Sequence, residues 1–153
     1  MNRILSIQIT IGLLSFPLSA CGNEPKQTSP EISASYTTIY WSDGDSGRLG
    51  NLKFRLANID APETRSLKQR GGAKCEAERV LAYEAKAFLV SFTKDKEVKI
   101  TRDYGEDRYN RLVVDLTADG IDVASTAVAA GHLREWPHKK GRAQAPKPDW
   151  CAP

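Results

Sequence analysis

Gly50-Asn51, set between Leu49 and Leu52, constrains the fold of this chain more than any other feature. A two-residue Gly-Asn connection between apolar residues signals a tight β-hairpin, and a turn of that length fixes the register of its strands. It ends a strand near Arg48-Leu49 and begins one that runs from Leu52 to Ile59. Pro62 then stops the pairing, because it lacks a backbone donor and biases Ala61 toward an extended conformation. Upstream, the Tyr, Thr and Ile-rich run from Tyr36 to Trp41 has strand character.

Downstream the period changes. Ala77, Leu81, Ala85, Phe88 or Leu89, and Phe92 recur at helical spacing. Val98 to Thr101 and Leu112 to Leu116 read as two further strands, the second closed by the Asp119-Gly120 turn. Val123 to Ala130 reads as a second helix, with Gly131 placed to cap it. Three strands, a helix, then two strands is the order of an OB-type barrel. The predicted class is therefore α+β: a five-stranded OB-fold β-barrel with packed helices.

The 153 residues exceed what that barrel needs. After Arg3, Ile4 to Pro17 is an apolar run broken by polar Ser6, Gln8, Thr10 and Ser15, which suits a signal-peptide core. It falls short of the roughly 20 apolar residues of a spanning helix. Leu18-Ser19-Ala20-Cys21 resembles the lipobox of bacterial lipoproteins, which implies cleavage and lipidation at Cys21; an ordinary secretory signal is the alternative. Residues 22 to 35, rich in Ser, Pro, Glu and Asn, read as a tether. The expected division is a signal peptide over 1–20, a tether over 21–35, a barrel domain over 36–137 and a basic, Pro-containing tail over 138–153. The expected location is outside the cytoplasm, on a membrane through the lipid, or secreted.

Export bears on the cysteines. With Cys21 lipidated, Cys75 and Cys151 remain as a pair in an oxidising compartment, where a disulfide is expected. A bridge closing so long a loop contributes about 4 kcal/mol in the chain-entropy model. Structural zinc is disfavoured, since only His132 and His138 are available and neither has zinc-site spacing from a cysteine. The formal net charge of +3 is mildly basic. Lys139, Lys140 and Arg142 form a basic run suited either to a nucleic-acid backbone or to a solvated surface.

Residues 43 to 64 gather Asp45, Arg55, Asp60 and Glu63 around the hairpin. Metal-assisted attack on a phosphodiester needs this set: hard oxygen ligands from Asp45 and Asp60, a base in Glu63, and a planar fork for phosphate in Arg55. Taken singly, each has an ordinary explanation in turn formation, surface ion pairing or helix capping. Gly44-Asp45-Ser46-Gly47 also echoes a serine-protease nucleophile motif, but that fold needs an upstream histidine base, and the first histidine here is His132. An EF-hand beginning at Asp43 would require glutamate at its twelfth position, where Phe54 stands.

Three separated patches between about Trp41 and Gly131 resemble the staphylococcal nuclease (thermonuclease) family. They are Asp43-Gly44-Asp45-Ser46, then Phe54-Arg55-Leu56-Ala57-Asn58-Ile59-Asp60-Ala61-Pro62-Glu63-Thr64, then Asp107-Arg108-Tyr109-Asn110-Arg111. The resemblance implies Asp45, Asp60 and the backbone carbonyl of Ala61 as ligands of Ca2+. It implies Arg55, Glu63 and Arg111 as catalytic residues and Tyr109 as part of a nucleotide pocket. DNA or RNA would be hydrolysed to 3′-phosphate products by a monomer with no obligate protein partner. Ser46 stands for the usual threonine, Ala61 for a threonine in some members, and Asn110 for glycine. The tyrosines expected after the last helix are absent, leaving Trp136 or His138 as substitutes. A non-catalytic OB module that binds nucleic acid, or a lipoprotein adaptor for another protein, are the alternatives.

Overall fold

Residues 35–152 are described by the structure, a computed structural model; the expected signal peptide, Cys21 and nearly all of the tether lie outside the described residues. In chain order the elements are β1 (Ser35–Tyr36), β2 (Ile39–Trp41), β3 (Ser46–Leu49), β4 (Leu52–Leu56), β5 (Ile59–Asp60), α1 (Glu76–Thr93), β6 (Val98–Glu106) and β7 (Leu112–Ala118). After these come β8 (Ile121–Asp122), α2 (Val123–Ala129), β9 (Arg134–Glu135), β10 (His138–Lys139) and β11 (Arg142–Ala143). No helix among the described residues is long and apolar enough to cross a membrane.

The main sheet runs β1-β6-β7-β4-β3-β2, with β8 added to β7. Its two outermost strands are successive parts of one segment: Tyr36 pairs with Val98, and Ile39 pairs with Leu49. The same stretch of chain thus takes up hydrogen bonds at both margins, which curls the sheet into a nearly closed barrel and removes its free edges. Between them β4 and β7 run parallel, Phe54 opposite Leu112 and Arg55 opposite Val113. This is the expected OB-fold, α+β, with two helices on the barrel.

Alternation decides what lies inside. Leu112, Val114, Leu116 and Ala118 are buried on β7, and Phe54 and Leu56 on β4, the period of two for a strand with one face on a core. Trp41 meets Phe54 edge to face with ring centroids 5.2 Å apart. Its buried indole N–H donates to Thr93 Oγ1 at 3.1 Å, and the Thr93 hydroxyl donates to the Leu89 carbonyl at 2.7 Å. Those bonds satisfy the polar atoms by which α1 is fastened to the barrel.

Several details depart from the sequence-based expectation. The buried stripe of α1 is Glu78, Ala82, Ala85, Leu89 and Thr93; it keeps the expected Ala85 and Leu89, with Phe88 and Phe92 packed part-buried against the core, but departs at its start, where Ala77 is exposed. Glu78 lies inside because its carboxylate is used as a hydrogen-bond acceptor at the helix start. The strand from Leu52 stops at Leu56, since Asn58 adopts a left-handed conformation (φ 57°), and Ile59–Asp60 turns away to pair with β9. The strand from Val98 continues to Glu106 through two register shifts. In the basic run, β10 and β11 form a hairpin whose two central residues, Lys140 and Gly141, both have positive φ, as a tight turn demands.

Gly47 allows the close approach of the Tyr40 backbone and the Phe54 ring to β3. A Cβ there would collide with the Tyr40 carbonyl and come within 2.9 Å of the Phe54 ring. Gly47→Ala is expected to destabilise the domain by about 1–3 kcal/mol or more through overpacking, measured as a shift of the urea midpoint at unchanged slope.

Candidate active site

The turn from Asp43 to Ser46 is built on its first side chain. Asp43 Oδ1 accepts the backbone N–H of Asp45 at 3.1 Å and of Ser46 at 2.8 Å, an Asx-type closure. Burial, with Asp45's charge beside it, pushes the Asp43 carboxyl up to about 6. Antiparallel pairing then sets Ser46 opposite Arg55, and Arg55 Nη2 lies 2.8 Å from Asp45 Oδ2. Ser46 Oγ donates to Asp45 Oδ1 and accepts from Arg111 Nη1 at 3.0 Å. Asp45, Ser46, Arg55 and Arg111 are therefore one connected group.

Arg111 is oriented by Asp107, one turn before it. Its Nε and Nη2 donate to Asp107 Oδ2 at 2.9 and 2.7 Å. Asp107 Oδ1 accepts the N–H groups of Tyr109 and Arg111, and Asn110 supplies the left-handed residue of the turn (φ 55°). Partial burial works against the Asp107 charge, but the Arg111 hydrogen bond and the two turn N–H groups outweigh it and hold its pKa below the ordinary aspartate value.

Asp60 anchors a second group. Gly44 lets the two halves meet, because a Cβ on it would lie 2.8 Å from the Ala61 Cβ. Asp60 is 1% exposed; its Oδ2 accepts the indole N–H of Trp150 at 2.8 Å, and its Oδ1 lies 3.4 Å from Lys147 Nζ. Lys147 Nζ also donates to Glu63 Oε1 at 3.0 Å. Burial raises the Asp60 pKa; the Trp150 bond and Lys147 oppose it, and the Asp45 charge adds to it. Burial also disfavours the Lys147 ammonium, but its bond to Glu63 and the charge of Asp60 prevail, and its pKa is raised.

The backbone beneath Glu63 is held by Glu78, whose Oε1 accepts the Glu63 N–H at 3.3 Å and whose Oε2 accepts the Lys74 N–H at 2.6 Å. Cys75, the N-cap of α1, is bonded to Cys151 across 76 residues of sequence, with Cα atoms 6.0 Å apart. The expected disulfide is present.

Beside Arg55 and Arg111 opens a cleft of about 750 Å³, lined also by Tyr104, Tyr109, Trp136 and His138. Asp45, Asp60 and Glu63 do not line it. Tyr109 is exposed, with the Arg108 and Arg111 guanidiniums 4.8 and 5.4 Å from its ring centroid. Trp136 is fixed by Nε1 donating to the Ala145 carbonyl at 2.9 Å and by the His138 ring, which meets it in a T-shaped arrangement with centroids 4.5 Å apart. Lys140, from the basic hairpin, reaches the same wall.

Four contributors went unassigned in the sequence: Asp107, Glu78, Lys147 and Trp150. Two carry a signal, since Asp107 stands four residues before Arg111 and Glu78 stands three after the helix cap, the spacing of a capping box. Lys147 and Trp150 carry none beyond closeness to Cys151. Among the described residues no cluster of three or more His, Cys, Asp or Glu forms a ready metal cage. Asp45 and Asp60 supply two carboxylates, a donor set suited to a hard cation that completes its shell with carbonyl oxygen and water.

Because the Asp107 carboxyl titrates below its unfolded value of 3.8, its contribution to stability is present above that pH and lost as pH falls through the depressed folded pKa. Asp107→Asn is expected to melt lower than wild type at pH 7, the gap closing below about pH 4, as followed by circular dichroism.

No curated protein matches the chain. The family model described as staphylococcal nuclease homologue matches residues 53–145. Asp45 lies just upstream of that span, while Arg55, Asp60, Glu63 and Arg111 lie within it. A match over more than half of the chain, reaching from the middle of the barrel wall through the cleft to the basic hairpin, places this protein in the family of staphylococcal nuclease homologues.

Proposed function

We propose that the protein is a calcium-dependent endonuclease that hydrolyses DNA, RNA or both to 3′-phosphate products. The observation that carries this reading is the joining of Arg55 and Arg111 through Asp45 and Ser46 at the wall of a nucleotide-sized cleft.

Asp45, Asp60 and the Ala61 carbonyl would hold the calcium ion. When bound, that ion would polarise a phosphate oxygen as a Lewis acid. Glu63 takes a proton from the attacking water. Arg55 and Arg111 neutralise the charge that gathers on the phosphate oxygens, and one of them assists departure of the 5′ oxygen. Asp107 sets the Arg111 fork before substrate arrives, so less orientation is lost on binding. Tyr109 offers a face on which a base can stack, and Trp136 serves where the expected tyrosines are absent.

We further propose that the enzyme works outside the cytoplasm as a monomer, tethered through lipid on Cys21. A non-catalytic nucleic-acid-binding module is the second reading. It is favoured by one observation, the Lys147 ammonium standing between Asp60 and Glu63.

Full-length protein in detergent, incubated with denatured DNA or RNA, is expected to degrade it with Ca2+ and to stop with excess chelator. Binding without cleavage in either condition would favour the module. Glu63→Gln and Arg111→Ala should each slow cleavage about 10²–10⁴-fold with melting temperatures near wild type. Turnover close to wild type in either variant would overturn the assignment.

A further inference from the structure

The carboxylate of Asp60 receives both its polar contacts from the far end of the described chain. Trp150, ninety positions later in sequence, donates its indole N–H to Oδ2 at 2.8 Å, and Lys147 lies 3.4 Å from Oδ1. Trp150 is itself locked. It is 5% exposed, the Arg134 guanidinium covers its ring at 4.3 Å, and Arg134 Nη1 donates to the neighbouring Asp149 carbonyl at 2.7 Å.

Residue 151 is the disulfide cysteine. Beyond Ala143 the segment has no strand or helix to hold it, so the Cys75–Cys151 bond is the one covalent tie that keeps Trp150 on Asp60. At its other end the bond sits on the cap of α1, next to Glu78, which fixes the backbone of Glu63. One crosslink therefore steadies both acids from behind.

We propose that Trp150 is a positioning residue for the cation-binding carboxylate of Asp60, and that the Cys75–Cys151 disulfide sets the calcium affinity of the site by holding it in place. The proposal rests on Asp60 being a calcium ligand, as assigned above. The indole N–H takes one carboxylate oxygen and fixes the rotation of the group, leaving the other oxygen aimed consistently. Outer-shell donors of this kind change metal affinity about 10–100-fold when lost. Lys147 acts in the opposite sense, since an ammonium beside Oδ1 repels an arriving cation. The two groups on one short segment thus have opposite expected effects, which general loosening of the segment would not produce.

Calorimetric titration of the full-length protein with Ca2+ alone tests this on wild type, Trp150→Phe, Lys147→Met and Cys151→Ser. Anisotropy of labelled single-stranded DNA in excess chelator serves as the control for the arginine wall. Trp150→Phe keeps the ring but loses the donor, and is expected to weaken calcium binding about 10–100-fold while DNA binding stays within about 3-fold of wild type. Cys151→Ser should weaken calcium binding in the same direction. Wild type treated with a dithiol should do likewise; the reagent passes two electrons and two protons to the S–S bond, giving two thiols and its own cyclic disulfide. Lys147→Met should bind calcium as tightly as wild type or more tightly.

Calcium binding by Trp150→Phe equal to wild type would overturn the proposal, and so would equal loss of calcium and DNA binding. If Trp150→Phe fails to fold, Cys151→Ser and the reduced wild type decide, with unchanged calcium affinity as the refuting result. Wild type that binds no calcium would instead refute the cation assignment of Asp60, and the proposal with it.

Discussion

The parallel pairing of β4 with β7 is the constraint on which the remainder of the molecule depends. It sets Arg55 opposite Val113 and so puts the guanidiniums of Arg55 and Arg111 on one side of the barrel, although the residues belong to distant parts of the chain. The same ladder carries Phe54 and Val114 into the core. A slip by one residue would turn Arg55 inward and Phe54 outward, because successive strand residues face opposite ways. Barrel stability and cleft chemistry are hence secured by one register.

Around that ladder the charges of Asp45, Arg111 and Asp60 each have partners. Asp45 is met by Arg55 and by the Ser46 hydroxyl, Arg111 by Asp107, and Asp60 by Trp150 and Lys147. Such pairing offsets the desolvation that would otherwise expel these groups from a protein interior. It also leaves the two carboxylates of different character. Asp45 is bonded to Arg55 and Ser46, whereas Asp60, its pKa raised by burial, is met by the Trp150 indole and the Lys147 ammonium.

Much of the architecture was legible because the signals are local. Gly50-Asn51 marks the hairpin, alternation marks β7, and the Asp-Gly and Gly131 positions mark the ends of strand and helix. The even cysteine pair foretold the disulfide. What escaped was of longer range or against type. A helix periodicity counted on apolar residues places Ala77 inside, whereas the molecule buries Glu78 because two backbone N–H groups need its carboxylate. The break after Leu56 depends on one left-handed asparagine, a residue whose tolerance for that conformation does not announce its use. Trp150 and Lys147 look like members of a basic, proline-broken tail, and their contacts with Asp60 join positions far apart in sequence.

The long sequence separation of that crosslink has a consequence in time. Cys151 follows Cys75 by 76 residues, and Trp150 follows Asp60 by 90. During synthesis Asp45, Arg55, Arg111 and every strand of the main sheet are released before Trp150 and Cys151. The donor for Asp60 emerges later, and its fastening waits for an oxidant. A newborn molecule thus has every strand of the main sheet, with Arg55 and Arg111, before it can close the Cys75–Cys151 bond beside Trp150.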